Sequence, residues 1–136
     1  MPEETLLAFD YGLKKIGVAL GNTLTCKARP LSIIKAERRD VRFEEIGRLI
    51  TEWRPDRIIV GLPLTADGQE QLATTQARRF ANQVNGRFSL PVALVDERGS
   101  SLEAQAVMGT NDPDDAVAAA IILQRYLDAL SQGPTI

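Results

Sequence analysis

The chain has 136 residues, 44 % hydrophobic and 25 % charged, the balance of one globular domain (1–136) able to bury a sizeable core. It has no histidine and one cysteine, Cys26, which excludes histidine-based catalysis, histidine zinc sites and intrachain disulfides. The net charge of −2 argues against a simple nucleic-acid-coating protein. Charge is unevenly spread, however: residues 14–57 carry four Lys and seven Arg against six acids, and residues 96–128 carry seven acids against Arg98 and Arg125.

Met1-Pro2-Glu3-Glu4 is acidic, unlike a signal peptide, and no apolar run approaches the ~20 residues of a membrane span, so a soluble, cytoplasmic protein is expected. Thr5–Phe9 is an apolar strand ending at Asp10. Ile16, Val18 and Leu20 alternate with small residues, a period-2 strand, and Tyr11-Gly12-Leu13-Lys14 reads as the tight turn between the two, with Gly12 its permissive residue. A weaker third strand is expected over 29–34, where Pro30 suits an edge. Asp40 reads as a helix N-cap. Phe43, Ile46, Leu49, Ile50 and Trp53 follow at helical spacing and Pro55 stops the helix.

Arg57–Gly61 is a short buried strand closed by Leu62-Pro63. A second helix spans about 69–85, with Gly86 as its stop, and Pro91–Val95 is a last strand leading to Asp96-Glu97-Arg98. Ser100-Ser101-Leu102-Glu103 fits a capping box opening a short helix. Asp112-Pro113 would start the final helix, running to about Leu130, before a frayed tail over about 131–136.

The order β-β-β-α-β-α-β-α-α predicts an α/β fold with a five-stranded mixed sheet in order 3-2-1-4-5, the second strand antiparallel to the rest and helices on both faces. Ligands of such sheets bind beyond the carboxyl ends of the parallel strands. Asp10 and Glu97 fall at two of those ends, and Asp115 in the first turn of the last helix. Gathered at one rim, three carboxylates would repel unless a cation lay between them. All-oxygen ligands suit Mg²⁺ or Mn²⁺, and such ions can drive phosphodiester hydrolysis without histidine. Each acid also has a plain reading, as a turn cap, an ion-pair partner of Arg98, or a helix-dipole charge. Asp114 competes with Asp115 for either role.

The motifs extend this reading. Asp10-Tyr11-Gly12-Leu13-Lys14-Lys15-Ile16-Gly17-Val18-Ala19, Ile59-Val60-Gly61-Leu62-Pro63-Leu64 with Asp67-Gly68, Asp96-Glu97-Arg98, and Asp115-Ala116-Val117-Ala118-Ala119 with Ile122-Leu123-Gln124 occur in order. Together they resemble the YqgF/RuvX family over roughly residues 5–130. The resemblance implies a ribonuclease H-like fold and a nuclease acting on structured nucleic acid. The first expectation is processing of the 5′ end of pre-16S rRNA, with ribosomal proteins or the pre-ribosome as partners. The alternatives are Holliday junction resolution and a non-catalytic nucleotide- or nucleic-acid-binding module. It also implies a catalytic, metal-holding triad of Asp10, Glu97 and Asp115 with Mg²⁺ or Mn²⁺.

Gly12, Lys15, Gly61 and Arg98 are the candidate substrate contacts. Lys15 and Arg98 are the basic residues nearest the motif acids in sequence. Arg98 is either a phosphate contact or a partner of Asp96, and Lys15 either touches substrate or only solvates its face. Gly61 keeps the rim open or simply turns the chain. Val107–Pro113 carries no Lys or Arg, unlike the longer basic loop of many family members.

Overall fold

The computed structural model describes residues 3–97 and 115–132. Five strands, β1 (Thr5–Tyr11), β2 (Ile16–Asn22), β3 (Lys27–Ile34), β4 (Arg57–Leu62) and β5 (Val92–Asp96), form one sheet in the order β3-β2-β1-β4-β5. β2 is antiparallel to β1 and β3, and β1, β4 and β5 are parallel, as the hairpin and the crossover rule predict. Among the described residues three helices pack on the sheet: α1 (Arg39–Trp53), α2 (Leu72–Phe88) and α3 (Asp115–Gln132).

The period-2 pattern divides the core in two. Leu7, Phe9, Ile16, Val18, Ile58 and Val60 face α1 and α2, where they meet Phe43, Ile46, Phe80 and Val84. Leu6, Ala8, Ala19 and Ile59 face α3 and meet Ala119, Ile122, Leu123 and Leu127. The second face is built for close approach. A Cβ on Gly17 would run into the Asp115 carbonyl, and one on Gly21 would come within 2.8 Å of Leu123. The small residues of β2 therefore seat the start of α3 directly on the sheet.

The local details depart from the periodicity in several places. α1 begins at Arg39 behind Arg38, and Asp40, the expected cap, lies inside the first turn paired with Arg38 at 2.7 Å. The helix does end before Pro55, through a left-handed Arg54 (φ 47°) whose N–H bonds the Ile50 carbonyl. α2 runs straight through Gly86 and ends at a left-handed Ser89. Its start is a capping box of Gln71 and Thr74, and the buried Thr74 hydroxyl also donates to the Pro63 carbonyl. Gly12 does not have a positive φ; glycine fits there because a Cβ would lie 2.6 Å from the Lys15 carbonyl oxygen. β3 begins earlier than expected, at Lys27.

Arg42, 95 % buried on α1, donates to the carbonyls of Ala36 and Leu13, so one guanidinium ties the β1–β2 turn to the β3–α1 connection. Trp53 is half-buried beneath the Arg29 guanidinium, 5.5 Å from its ring centre. The capping box at Ser100, the Asp112-Pro113 helix start and residues 133–136 lie outside the described residues, within which no helix is long and apolar enough to cross a membrane.

Two glycines test this packing in opposite directions. Gly17→Ala should destabilise the protein by about 2–3 kcal/mol, because rigid backbone leaves the new methyl nowhere to go. Gly86→Ala, inside a helix with nothing within 4 Å, should stabilise it by about 0.5–1 kcal/mol. Urea unfolding of the two variants measures both; equal midpoints would contradict the tight seating of α3.

Candidate active site

Strand register brings the motif acids to one end of the sheet. Asp10 follows Phe9, which pairs with Val60, and lies on the face of Leu6 and Ala8, toward α3. Glu97 continues β5 on the same face as Ala93 and Val95, and its N–H bonds the Leu62 carbonyl at 3.2 Å. Gly61 stands between them, inside β4 and not at a turn. A Cβ there would strike the Glu97 carboxylate and come within 2.6 Å of Ile122. Its absence leaves the space into which Glu97 folds back toward Asp10.

The two carboxyl groups lie within hydrogen-bonding reach of each other. Glu97 Oε2 is enclosed and finds no hydrogen-bond donor among the described residues. As carboxylates neither acid can donate; with one proton shared between them, one bond forms. Burial, the nearby Asp10 charge and the hydrogen bond to Asp10 push Glu97 up to about 8, with Arg125 on α3 acting weakly in the opposite direction. Burial raises Asp10 as well; the bond to Glu97 offsets part of this and the charge of Asp115 adds to it.

Asp115, the first residue of α3, is held near this pair because its backbone abuts Gly17, and Gly17 pairs with Asp10 across the β1–β2 ladder. Its charge reaches Asp10, yet no three Asp, Glu, His or Cys side chains among the described residues close around a common point tightly enough to hold a metal ion. Asp10 and Glu97 thus form the contacting pair, and Asp115 acts on Asp10 through its charge from the start of α3.

The donor set nonetheless fits a hard divalent cation. An enclosed oxygen without a donor, beside a second carboxylate, is what a bound cation would satisfy.

Gly12 and the exposed Lys15 sit on the β1–β2 turn at this same end. Arg98 and Asp114 lie outside the described residues. Sequence spacing did not reveal Arg125, ten residues along α3 from Asp115. Its guanidinium donates to the Asp96 carbonyl at 3.0 Å and so steadies the chain immediately before Glu97. A lone charged residue in the Ala116–Leu127 stretch was the available signal.

The family model described as "RuvX: Holliday junction resolvase" matches residues 4–129. The chain belongs to the RuvX family. A Bordetella parapertussis protein named "Putative pre-16S rRNA nuclease" is 69 % identical over 132 residues, spanning 97 % of this chain and 99 % of that one. A Paraburkholderia phytofirmans protein of the same name is 58 % identical over 133 residues, spanning 95 % and 91 %. Among solved structures, Thermus thermophilus RuvC in complex with a Holliday junction substrate matches with a TM-score of 0.54 at 17 % identity, over 95 % of this chain and 96 % of that one. The fowlpox virus resolvase bound to junction DNA matches with a TM-score of 0.59 at 11 % identity, over 93 % and 98 %. These likenesses establish the ribonuclease H-like fold for this RuvX chain.

The raised Glu97 fixes the sign of a pH effect. A carboxyl that ionises near 4.5 when unfolded and near 8 when folded binds its proton more tightly in the native state. Its contribution to stability is therefore full below about 4.5 and is lost as pH rises through about 8. In EDTA the melting temperature should fall between pH 5 and pH 8.5, by the equivalent of up to a few kcal/mol, and Glu97→Gln should flatten the fall. Calorimetric melts across that range check it; an unchanged slope in the variant would contradict the assignment.

Proposed function

We propose that this RuvX chain is a divalent-metal-dependent nuclease that hydrolyses phosphodiesters in structured RNA, maturing the 5′ end of pre-16S rRNA. The observation that carries the reading is the Asp10–Glu97 pair, two half-buried carboxyls in contact at the carboxyl end of the parallel strands, one with an enclosed oxygen that finds no donor among the described residues. The RNA assignment rests on relatives as similar as 69 % that bear the pre-16S rRNA nuclease name. As a ribosome-maturation nuclease it would work in the cytoplasm, with the pre-ribosome as its partner.

Asp10 and Glu97 would hold Mg²⁺ or Mn²⁺, with Asp115 as the third acid. A bound cation supplies Lewis-acid stabilisation of charge on the phosphate oxygens and lowers the pKa of water. The chain's own residues supply placement. Gly61 gives Glu97 room to reach Asp10, Gly17 lets α3 bring Asp115 close, and Arg125 holds the end of β5. Near neutral pH the raised Glu97 retains its proton, and a cation held by Asp10 and Glu97 would favour its loss, since the shift comes from burial and like charge. Lys15, exposed on the β1–β2 turn, and Arg98 are the proposed phosphate contacts, with Gly12 and Gly61 keeping the backbone low beneath the substrate.

The test is cleavage of a pre-16S rRNA 5′-end fragment, with a four-way DNA junction alongside, because the family description names junction resolution. Cleavage of the RNA should require Mg²⁺ or Mn²⁺, vanish in EDTA, and fall by at least about 100-fold in Asp10→Asn, whose thermal stability should be equal or higher without the like charge. Ca²⁺ should support it poorly, since its looser shell does not align the reactants. Preferential cutting of the junction would move the substrate to DNA. Undiminished activity in EDTA or in Asp10→Asn would end the metal-nuclease reading and favour a binding module.

A further inference from the structure

On the opposite face of the sheet, at the same end, lies a cavity of about 240 Å³ lined by Tyr11, Arg39, Arg42, Phe43, Arg79 and Phe80, with Glu37 as its acid. Among the described residues none of these three arginines lies within 4.0 Å of a carboxylate. Three guanidinium groups against one glutamate give the cavity a positive character. Its floor is aromatic: Tyr11 and Phe80 have ring centres 4.7 Å apart, Phe43 and Phe80 6.0 Å apart. Arg42 lies 5.5 Å over Tyr11 and Arg39 5.9 Å over Phe43. The rings and the carbonyl bonds of Arg42 hold that buried charge in place, whereas Arg39 and Arg79 are exposed at the mouth.

We infer that this cavity is a phosphate subsite, holding a backbone phosphate and its sugar from the substrate strand on the side of the rim away from α3. Its volume lies below the ~300–1,000 Å³ of sites for drug-sized ligands, which suits one such fragment. Its position argues for a strand and not only a free anion. Tyr11 directly follows Asp10 on β1, so consecutive side chains serve the cavity and the carboxylate pair from opposite faces of one strand end. A strand whose scissile phosphate sits at Asp10 carries neighbouring phosphates that the carboxylates repel; the arginine-bearing side of the rim offers them a positive destination. The inference rests on the proposed nucleic-acid substrate, but not on cleavage.

The test measures binding of a labelled single-stranded RNA oligonucleotide to the full chain by fluorescence anisotropy in EDTA. The double variant R39A/R79A, which removes two exposed side chains, should weaken binding roughly tenfold and lower the salt slope by about one to two. R39K/R79K should retain most of the affinity. R48A/R54A, an equal charge change elsewhere on α1 and at its end, should stay within about twofold of the parent. Equal losses in R39A/R79A and R48A/R54A would overturn the subsite. Titrations with adenosine monophosphate and with inorganic phosphate separate the sources: binding of either that depends on Arg39 and Arg79, with RNA binding unaffected, would make this a free-anion site and overturn the strand assignment. RNA binding that depends on these arginines in a protein that never cuts would refute the nuclease reading and leave the subsite standing.

Discussion

Two half-buried carboxyl groups pressed together are the constraint on which the rest of this structure depends. Asp10 and Glu97 cannot both ionise there without a large penalty. The fold nevertheless holds them together: hydrogen bonding along β4 and β5 fixes the end of one strand, the β1–β2 and β1–β4 ladders fix the other, and Gly61 removes the side chain that would keep them apart. Glycine at that point is a positive requirement of the pair, since any Cβ would displace the Glu97 carboxyl or Ile122. The result is a carboxyl pair that holds a proton near neutral pH, and on the proposed reading a cation would take that proton's place.

The two faces of the sheet divide the work. The α3 face is made of small residues, so a helix can lie close and carry Asp115 toward Asp10. The α1–α2 face is aromatic and bulky; Arg42 lies over Tyr11 and donates to two carbonyls, and Arg39 lies over Phe43. Strand alternation converts this into chemistry. Asp10 and Tyr11 are neighbours in sequence and serve opposite faces, negative on one side of the rim and positive on the other.

The sheet was legible in the sequence because hydrophobic period, a hairpin and the handedness of crossovers leave few topologies, and Asp10 and Glu97 were legible as strand-end acids. What escaped had no period. Arg42 looks like any surface arginine until the carbonyls of Leu13 and Ala36 are brought to it from two other segments. Gln71 and Thr74 cap α2 with the residue types of the usual box in reversed order, glutamine first and threonine three residues on. Gly86 resembled a helix stop, yet a helix ends where the backbone turns left-handed, and the tertiary fold places that turn at Ser89. Gly12 was expected to supply a permissive backbone, whereas what it avoids is a clash with the Lys15 carbonyl; the approach of Glu97 and Ile122 to Gly61, from other segments, cannot be read from local sequence. The effect of Asp115 on Asp10 depends on how closely α3 seats on Gly17 of β2, a contact between distant segments that spacing does not reveal.

The most direct test of the central claim is the number of protons released when a divalent cation binds. Mn²⁺ titrated calorimetrically into the metal-free protein at pH 7, in buffers of different ionisation enthalpy, reports that number. With Glu97 ionising at about 8, binding should release about one proton in the parent protein and close to none in Glu97→Gln. Binding with no proton release, or the same release from both proteins, would contradict a carboxyl pair that keeps its proton until a cation takes its place.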